Sequence, residues 1–279
     1  FDRLKAEGIQ VIAIVGNHTA YYEDTNSLHT LDHVLSDYDN VQVIHDIPKE
    51  IEIYGKSFLF LPWINVSNRD RAMEIVAESR ADILCSHLQL KGFVMHRGSV
   101  CVNGMDAKDF SHFDRVWSGH FHSPSSENNV HYLGSPTETT WADYGDVKGF
   151  HVYTPETDNL EMIINPFGLH RRIRYNDGMT ILDVPDVEGQ FVIVDVETKD
   201  DVEAFRDFMD AIYAKQPADV KTHEISKIGV LSDSSLEAID IENVEDTSKA
   251  IVRYIEEKVE RNPEKVKAKL LKYYKEAIN

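Results

Sequence analysis

Apolar residues along this chain follow two rhythms. Short unbroken runs at Val11–Val15, "VQVI" (41–44), "DILCSH" (82–87) and Phe113–Trp117 read as buried strands. "IEIYGKSFLFLPW" (51–63) reads as a hairpin turning at Gly55-Lys56. Other apolar positions recur at helical spacing. Leu28, Leu31, Val34 and Leu35 predict a helix capped by Thr25 or Asn26. Ala72, Met73, Val76 and Ala77 predict the inward face of a helix over 69–79. Further strands are expected at 130–134, 149–153 and 160–164. Strands alternating with helices, then strands in succession, predict a layered α/β sandwich with two sheets. "FDRLKAEG" reads as the last turns of a helix running into Gly8, so the start of that unit is expected before Phe1.

After "LHRRIRY" (169–175) the pattern changes. "GQFVIVDVET" (189–198) predicts a strand, residues 199–215 an amphipathic helix, and "THEISKIGV" (222–230) another strand: a small β-α-β unit. The acidic stretch 232–246 reads as a linker. Two helices are expected to close the chain, one over about 247–261 and one opened by Asn262-Pro263. Ile251, Ile255 and Val259 share a face of the first. Val266, Leu270, Tyr273, Tyr274 and Ala277 share a face of the second. Those faces predict a docked subdomain or a partner.

Charge sharpens this division. The net charge is −19. Residues 180–252 hold 18 acidic against 6 basic side chains, whereas residues 253–279 hold 5 against 8. The acidity argues against nonspecific nucleic-acid binding by the whole surface, but not against a local groove. Cys85 and Cys101 are too few for a disulfide framework, and no apolar run approaches the roughly 18 residues of a membrane helix. A reducing cytoplasm is the expected setting.

The chemistry gathers where strands end. Asn17-His18, His87 and the pair His120/His122 all follow apolar runs, the position at which α/β folds build their sites. In an extended segment His120 and His122 project from one face. Neutral imidazoles with an amide oxygen suit Mn, Fe or Zn better than Mg or Ca. Cys85 reads as a small buried residue, and Trp63 and Trp117 as core. Arg171, Arg172 and Arg174 read equally well as a phosphate-contacting patch or a solvated strand edge. Asp143 and Asp146 lie in a turn-like stretch without a catalytic role.

"IVGNHT", "CSHLQLKGF" and "VWSGHFHS" together resemble successive motifs of the metallophosphoesterases. The resemblance is closest to the nuclease subunit of the SbcCD-type double-strand-break repair complex, in its tailed-phage recombination-endonuclease form. "FLPW", "NVHYLGSPTETTWAD" and "GFHVYTPETD" fit the same pattern.

This resemblance implies a two-sheet αββα sandwich over 1–174 and a β-α-β capping domain for DNA recognition over 175–231. A linker (232–246) and an ATPase-binding helical hairpin (247–279) would follow. It implies two Mn ions, with Mg an alternative, in the intact family protein. Asn17, His87 and His120 would bind one ion, His122 would belong to the other, and His18 would act beside the scissile phosphate. Two ions roughly 3.5–4 Å apart supply an ionised water and neutralise phosphoryl charge. The implied partners are DNA ends, an SMC-like ATPase held through Ile251, Ile255, Val259, Val266, Leu270 and Tyr274, and a second copy of the chain, in the cytoplasm (the host's, if phage-encoded).

Thr19 stands where the family has an acidic residue, and Ser86 where it has glycine. The family's first two motifs, which include the bridging Asp, are expected before Phe1. The chain by itself is therefore expected to hold one ion or none, with weak activity or none. Two other readings stay open: a phosphodiesterase of the same superfamily acting on small esters, and a non-catalytic scaffold for DNA or the ATPase.

Overall fold

The computed structural model describes residues 1–96, 99–225 and 267. The chain divides into two units, Phe1–Glu224 and Ile225–Asn279. The linker at 232–246, the two terminal helices apart from Lys267, and the six partner-contact residues on them lie outside the described residues.

The first unit is α/β. Its central sheet has six strands in the order Ser125–Glu127, Val130–Tyr132, Arg115–Ser118, Ile83–Ser86, Lys56–Leu61, Lys49–Ile53. The four inner strands run parallel and the two edges antiparallel. Side-chain alternation divides its two faces. Leu59, Leu61, Leu84 and Val116 point to a core shared with Ala72 and Val76 of the helix Arg69–Glu78. Phe58, Phe60, Ile83 and Trp117 point the other way. There they meet Ile12, Ile14 and Ile44 of the parallel pair Val11–Ile14 and Val41–Ile44, and Tyr153 and Leu160 of the hairpin Gly149–Thr154 and Asn159–Ile164. Both faces of the inner strands are covered, so these strands are written as continuous apolar runs.

A second core surrounds three parallel strands, His170–Tyr175, Phe191–Val196 and Asp219–Glu224. The helix Val202–Ala214 crosses between the last two and buries Phe208 and Ile212 against Ile173, Tyr175, Val192 and Val194. A β-α-β unit is therefore present, and the segment around Arg171, Arg172 and Arg174 is a further strand of its sheet. Arg172 is bidentate on the buried Asp195, at 2.9 Å for each contact.

Several expectations are corrected. Residues 25–29, expected to open a helix, form instead the second strand of a ribbon of Ala20–Tyr22 and Thr25–His29, and the helix is only Thr30–Leu35. Its N-cap is His29, whose Nδ1 accepts from the Asp32 N–H at 3.3 Å. The 49–61 hairpin turns one residue earlier, at Tyr54-Gly55. Both have positive φ (49° and 75°), the conformation a two-residue hairpin needs to match strand twist. Ala77 is exposed and Ile75 packs inward in its place. The strand expected at 222–230 runs Asp219–Glu224 among the described residues.

Candidate metal centre

The strand Val11–Ile14 leads into a turn closed by Thr19. Its hydroxyl accepts from the Gly16 N–H and donates to the Gly16 carbonyl, both at 2.9 Å. The residue that departs from the family pattern therefore clasps the loop that presents Asn17. Asn17 is half-buried and His18 exposed.

His87 follows the strand Ile83–Ser86, and its ring lies against two glycines. A Cβ on Gly16 would stand 2.9 Å from Cε1, and one on Gly119 3.1 Å from Nδ1. Glycine at both positions makes the slot. From it Nε2 of His87 reaches Oδ1 of Asn17 at 2.8 Å. Nδ1 of His120 reaches the same oxygen at 3.3 Å. Three residues from three strand ends thus meet at one point.

His120 and His122 do not project together. His120 has φ +80°, uncommon for a non-glycine residue, so the backbone is not extended where the sequence pattern assumed it was. The rings part. His120 turns to Asn17, while Nδ1 of His122 lies 3.1 and 3.3 Å from the two oxygens of Asp143 and 3.1 Å from the Thr139 hydroxyl.

Asp143, read from sequence as having no role, is buried beneath His122. It accepts from the Lys148 ammonium at 2.9 Å, from the backbone N–H groups of Thr139 and Thr140 at 2.9 Å each, and from the Thr139 hydroxyl at 2.8 Å. Burial opposes its charge. Lys148 and the threonine donors outweigh burial and hold the carboxyl well below the usual carboxylate range. An ionised Asp143 fixes the proton on Nδ1 of His122 and leaves the Nε2 lone pair free, the usual way a carboxylate orients a metal-binding imidazole. The available signal was the capping-box spacing Thr140-x-x-Asp143, which marks a bonded carboxylate.

Trp63 also belongs to the site. Its ring is 5.3 Å from that of His120, tilted by 33°, and meets His87 edge-on at 6.0 Å. Its carbonyl accepts from Asn26 at 2.7 Å and Asn68 at 3.0 Å, and its N–H donates to Val15 at 2.8 Å. Trp117 is core, as its pattern indicated.

Burial, with the neighbouring imidazoles of His120, His18 and His122, pushes His87 down to about 3. Burial, with His18 and His122, pushes His120 down to about 4. Both rings are therefore neutral at pH 7, the form that donates a lone pair. Burial pushes the Cys85 thiol up to about 12, so it is no nucleophile.

Among the described residues, no group of three or more His, Cys, Asp or Glu is spaced to hold a metal ion. The Asn17 group is two imidazoles and an amide. An octahedral ion with bonds of about 2.1 Å holds neighbouring donors about 3 Å apart, and the 2.8 and 3.3 Å spacings bracket that value. One ion fits there. All three donors are neutral, so nothing in the trio offsets a dication's charge.

The α/β scaffold gathers two imidazoles and an amide at its strand ends. Sequence comparison adds a particular likeness. The chain is 33% identical over 168 residues to exonuclease subunit 1 of Enterobacteria phage T4, a match covering 60% of this chain and 49% of that protein. The chain thus spans about half the length of the relative it matches. No family model matches it.

Proposed function

We propose that this chain belongs to a metallophosphoesterase-type nuclease subunit that hydrolyses DNA phosphodiester bonds at ends, in recombination. The observation that carries the reading is the meeting of Asn17, His87 and His120 at one oxygen-centred point. The likeness to a phage exonuclease subunit agrees with it.

In this reading Asn17, His87 and His120 hold one Mn ion, and His122, oriented by Asp143, contributes to a second. Bound metal supplies charge neutralisation at the phosphoryl oxygens and a water ionised near neutral pH. The residues themselves supply geometry. His87, confined beside Gly16 and Gly119, keeps Nε2 facing the Asn17 oxygen, donating to it where no metal is bound. In the same reading exposed His18, near both buried imidazoles, would hold or give a proton at the leaving oxygen. The sheet at 170–224 would then take DNA, and the faces carrying Ile251, Ile255, Val259, Val266, Leu270 and Tyr274 would take an SMC-like ATPase.

A phosphodiester assay with Mn or with EDTA tests this. Mn-dependent hydrolysis, however slow, that disappears in His87→Ala supports the reading. Hydrolysis that survives either EDTA or that substitution contradicts it.

A further inference from the structure

Beside the imidazoles lies a cleft of about 280 Å³. His87 forms one end. Trp63, Arg69, Leu88, Gln89, Asn103 and Met105 line it too, with Ile64 and Gly104. Pockets for drug-sized ligands run from about 300 to 1,000 Å³, so this one suits a single planar fragment and not a stretch of oligomer.

The lining has the composition of a nucleotide subsite. Trp63 has a flat aromatic surface; its backbone is bonded at both polar groups, and its ring packs beside His120 and His87. Leu88 and Met105 give an apolar floor. Gln89 donates to the Asn103 carbonyl at 2.8 Å, which leaves its amide oxygen free to accept. The Asn103 side chain is exposed at the rim. Arg69 is exposed too, and among the described residues no ion pair or hydrogen bond engages its guanidinium. An unengaged cation in a chain of net charge −19 selects an anion.

The far wall is built to close tolerance. Met105 N–H donates to Gln89 at 2.9 Å and Lys91 N–H donates to Met105 at 3.1 Å. A Cβ on Gly104 would stand only 2.7 Å from the Gln89 oxygen. The wall's position, and so the cleft's width, depends on glycine there.

We propose that this cleft binds the nucleotide adjoining the bond to be cut. The base lies against Trp63, Gln89 and Asn103 meet its polar edge, and Arg69 holds its phosphate. Stacking on an aromatic ring tolerates every base, so the subsite grips DNA without reading sequence. The identity of the ligand rests on the nuclease reading above; the cleft itself does not.

The test titrates thymidine 5′-monophosphate and thymidine into the full chain by calorimetry, with EDTA present so that metal plays no part. The wild type is expected to bind the monophosphate saturably and more tightly than thymidine. Arg69→Gln is expected to weaken the monophosphate about tenfold and leave thymidine unchanged, while Trp63→Leu weakens both about tenfold. Arg69 is exposed, so its variant tests the cleft even if Trp63→Leu misfolds. No saturable binding by the wild type, or equal affinities in wild type and Arg69→Gln, overturns the proposal. Nucleotide binding in EDTA by a chain that never binds Mn would keep the cleft and remove the metal reading. The converse would remove the cleft alone.

Discussion

The amide oxygen of Asn17 stands 2.8 Å from Nε2 of His87, across seventy positions of sequence. His120, a further thirty-three positions on, reaches the same oxygen. The strands before His87 and His120 are neighbours in the central sheet, and the strand before Asn17 belongs to the pair packed on that sheet's face.

Two glycines set this contact, so their substitution is a direct probe. Gly16→Ala places a methyl within 2.9–3.1 Å of three atoms of the His87 ring. The ring must shift. The expected result is a loss of about 1–3 kcal/mol of stability together with at least a tenfold loss of Mn affinity, measured by urea unfolding and calorimetry. Unchanged Mn affinity would show that His87 does not need this slot.

Asp143 and Lys148 form a buried ion pair under His122, with side chains 1% and 3% exposed. Removing one partner strands the other charge. Asp143→Ala is expected to cost about 3–5 kcal/mol. Asp143→Ala with Lys148→Met is expected to recover much of that stability while metal affinity stays about 10–100-fold reduced. Recovery of both would mean that Asp143 has only a structural role.

Stability should fall in acid, and the sign follows from the buried imidazoles. His87 and His120 are held at about 3 and about 4, below the ordinary 6.5. Below pH 6.5 the unfolded chain takes up protons that the folded chain refuses. Each pH step of one then removes up to about 1.4 kcal/mol per imidazole. The loss for His120 ends near pH 4 and for His87 near pH 3. Urea midpoints in EDTA at pH 7, 5.5 and 4.5 should show this decline, and His87→Gln should flatten it. A variant with the wild-type slope would contradict the assignment.

Tyr132 links the central sheet to the cleft. Its buried hydroxyl donates to the Leu88 carbonyl at 2.9 Å and accepts from the Leu90 N–H at 3.0 Å. Tyr132→Phe leaves both backbone groups unpaired and is expected to cost about 1–3 kcal/mol in urea unfolding. A loss below about 0.5 kcal/mol would mean that water replaces the hydroxyl.

Much of this was legible in the chain. Runs such as "FLFL" and "ILC" are apolar at every step because both faces of their strands are covered, and that pattern survives translation into structure. The strand-end histidines were legible for the same reason. The failures came where tertiary contacts overrode local pattern. Asn26 was read as a helix cap, yet it is buried and bonded to Trp63 and Asn65, thirty-seven and thirty-nine positions away. Leu28 and Val34, read as a core face, are exposed. Trp63 gave no sign of facing the imidazoles, because its carbonyl is held by Asn26, thirty-seven positions away. Asp143 looked like a turn residue because its contact with His122 spans twenty-one positions that no periodicity connects.

The central claim is that Asn17, His87 and His120 form one metal-binding point. Its most direct test is calorimetric titration of the full chain with MnCl2, beside Asn17→Ala, His87→Ala and His120→Ala. Binding is expected at one ion per chain; each of the three substitutions abolishes it, while His33→Ala, a control away from the site, leaves it intact. Binding that survives all three substitutions, or no binding by the unaltered chain, would contradict it.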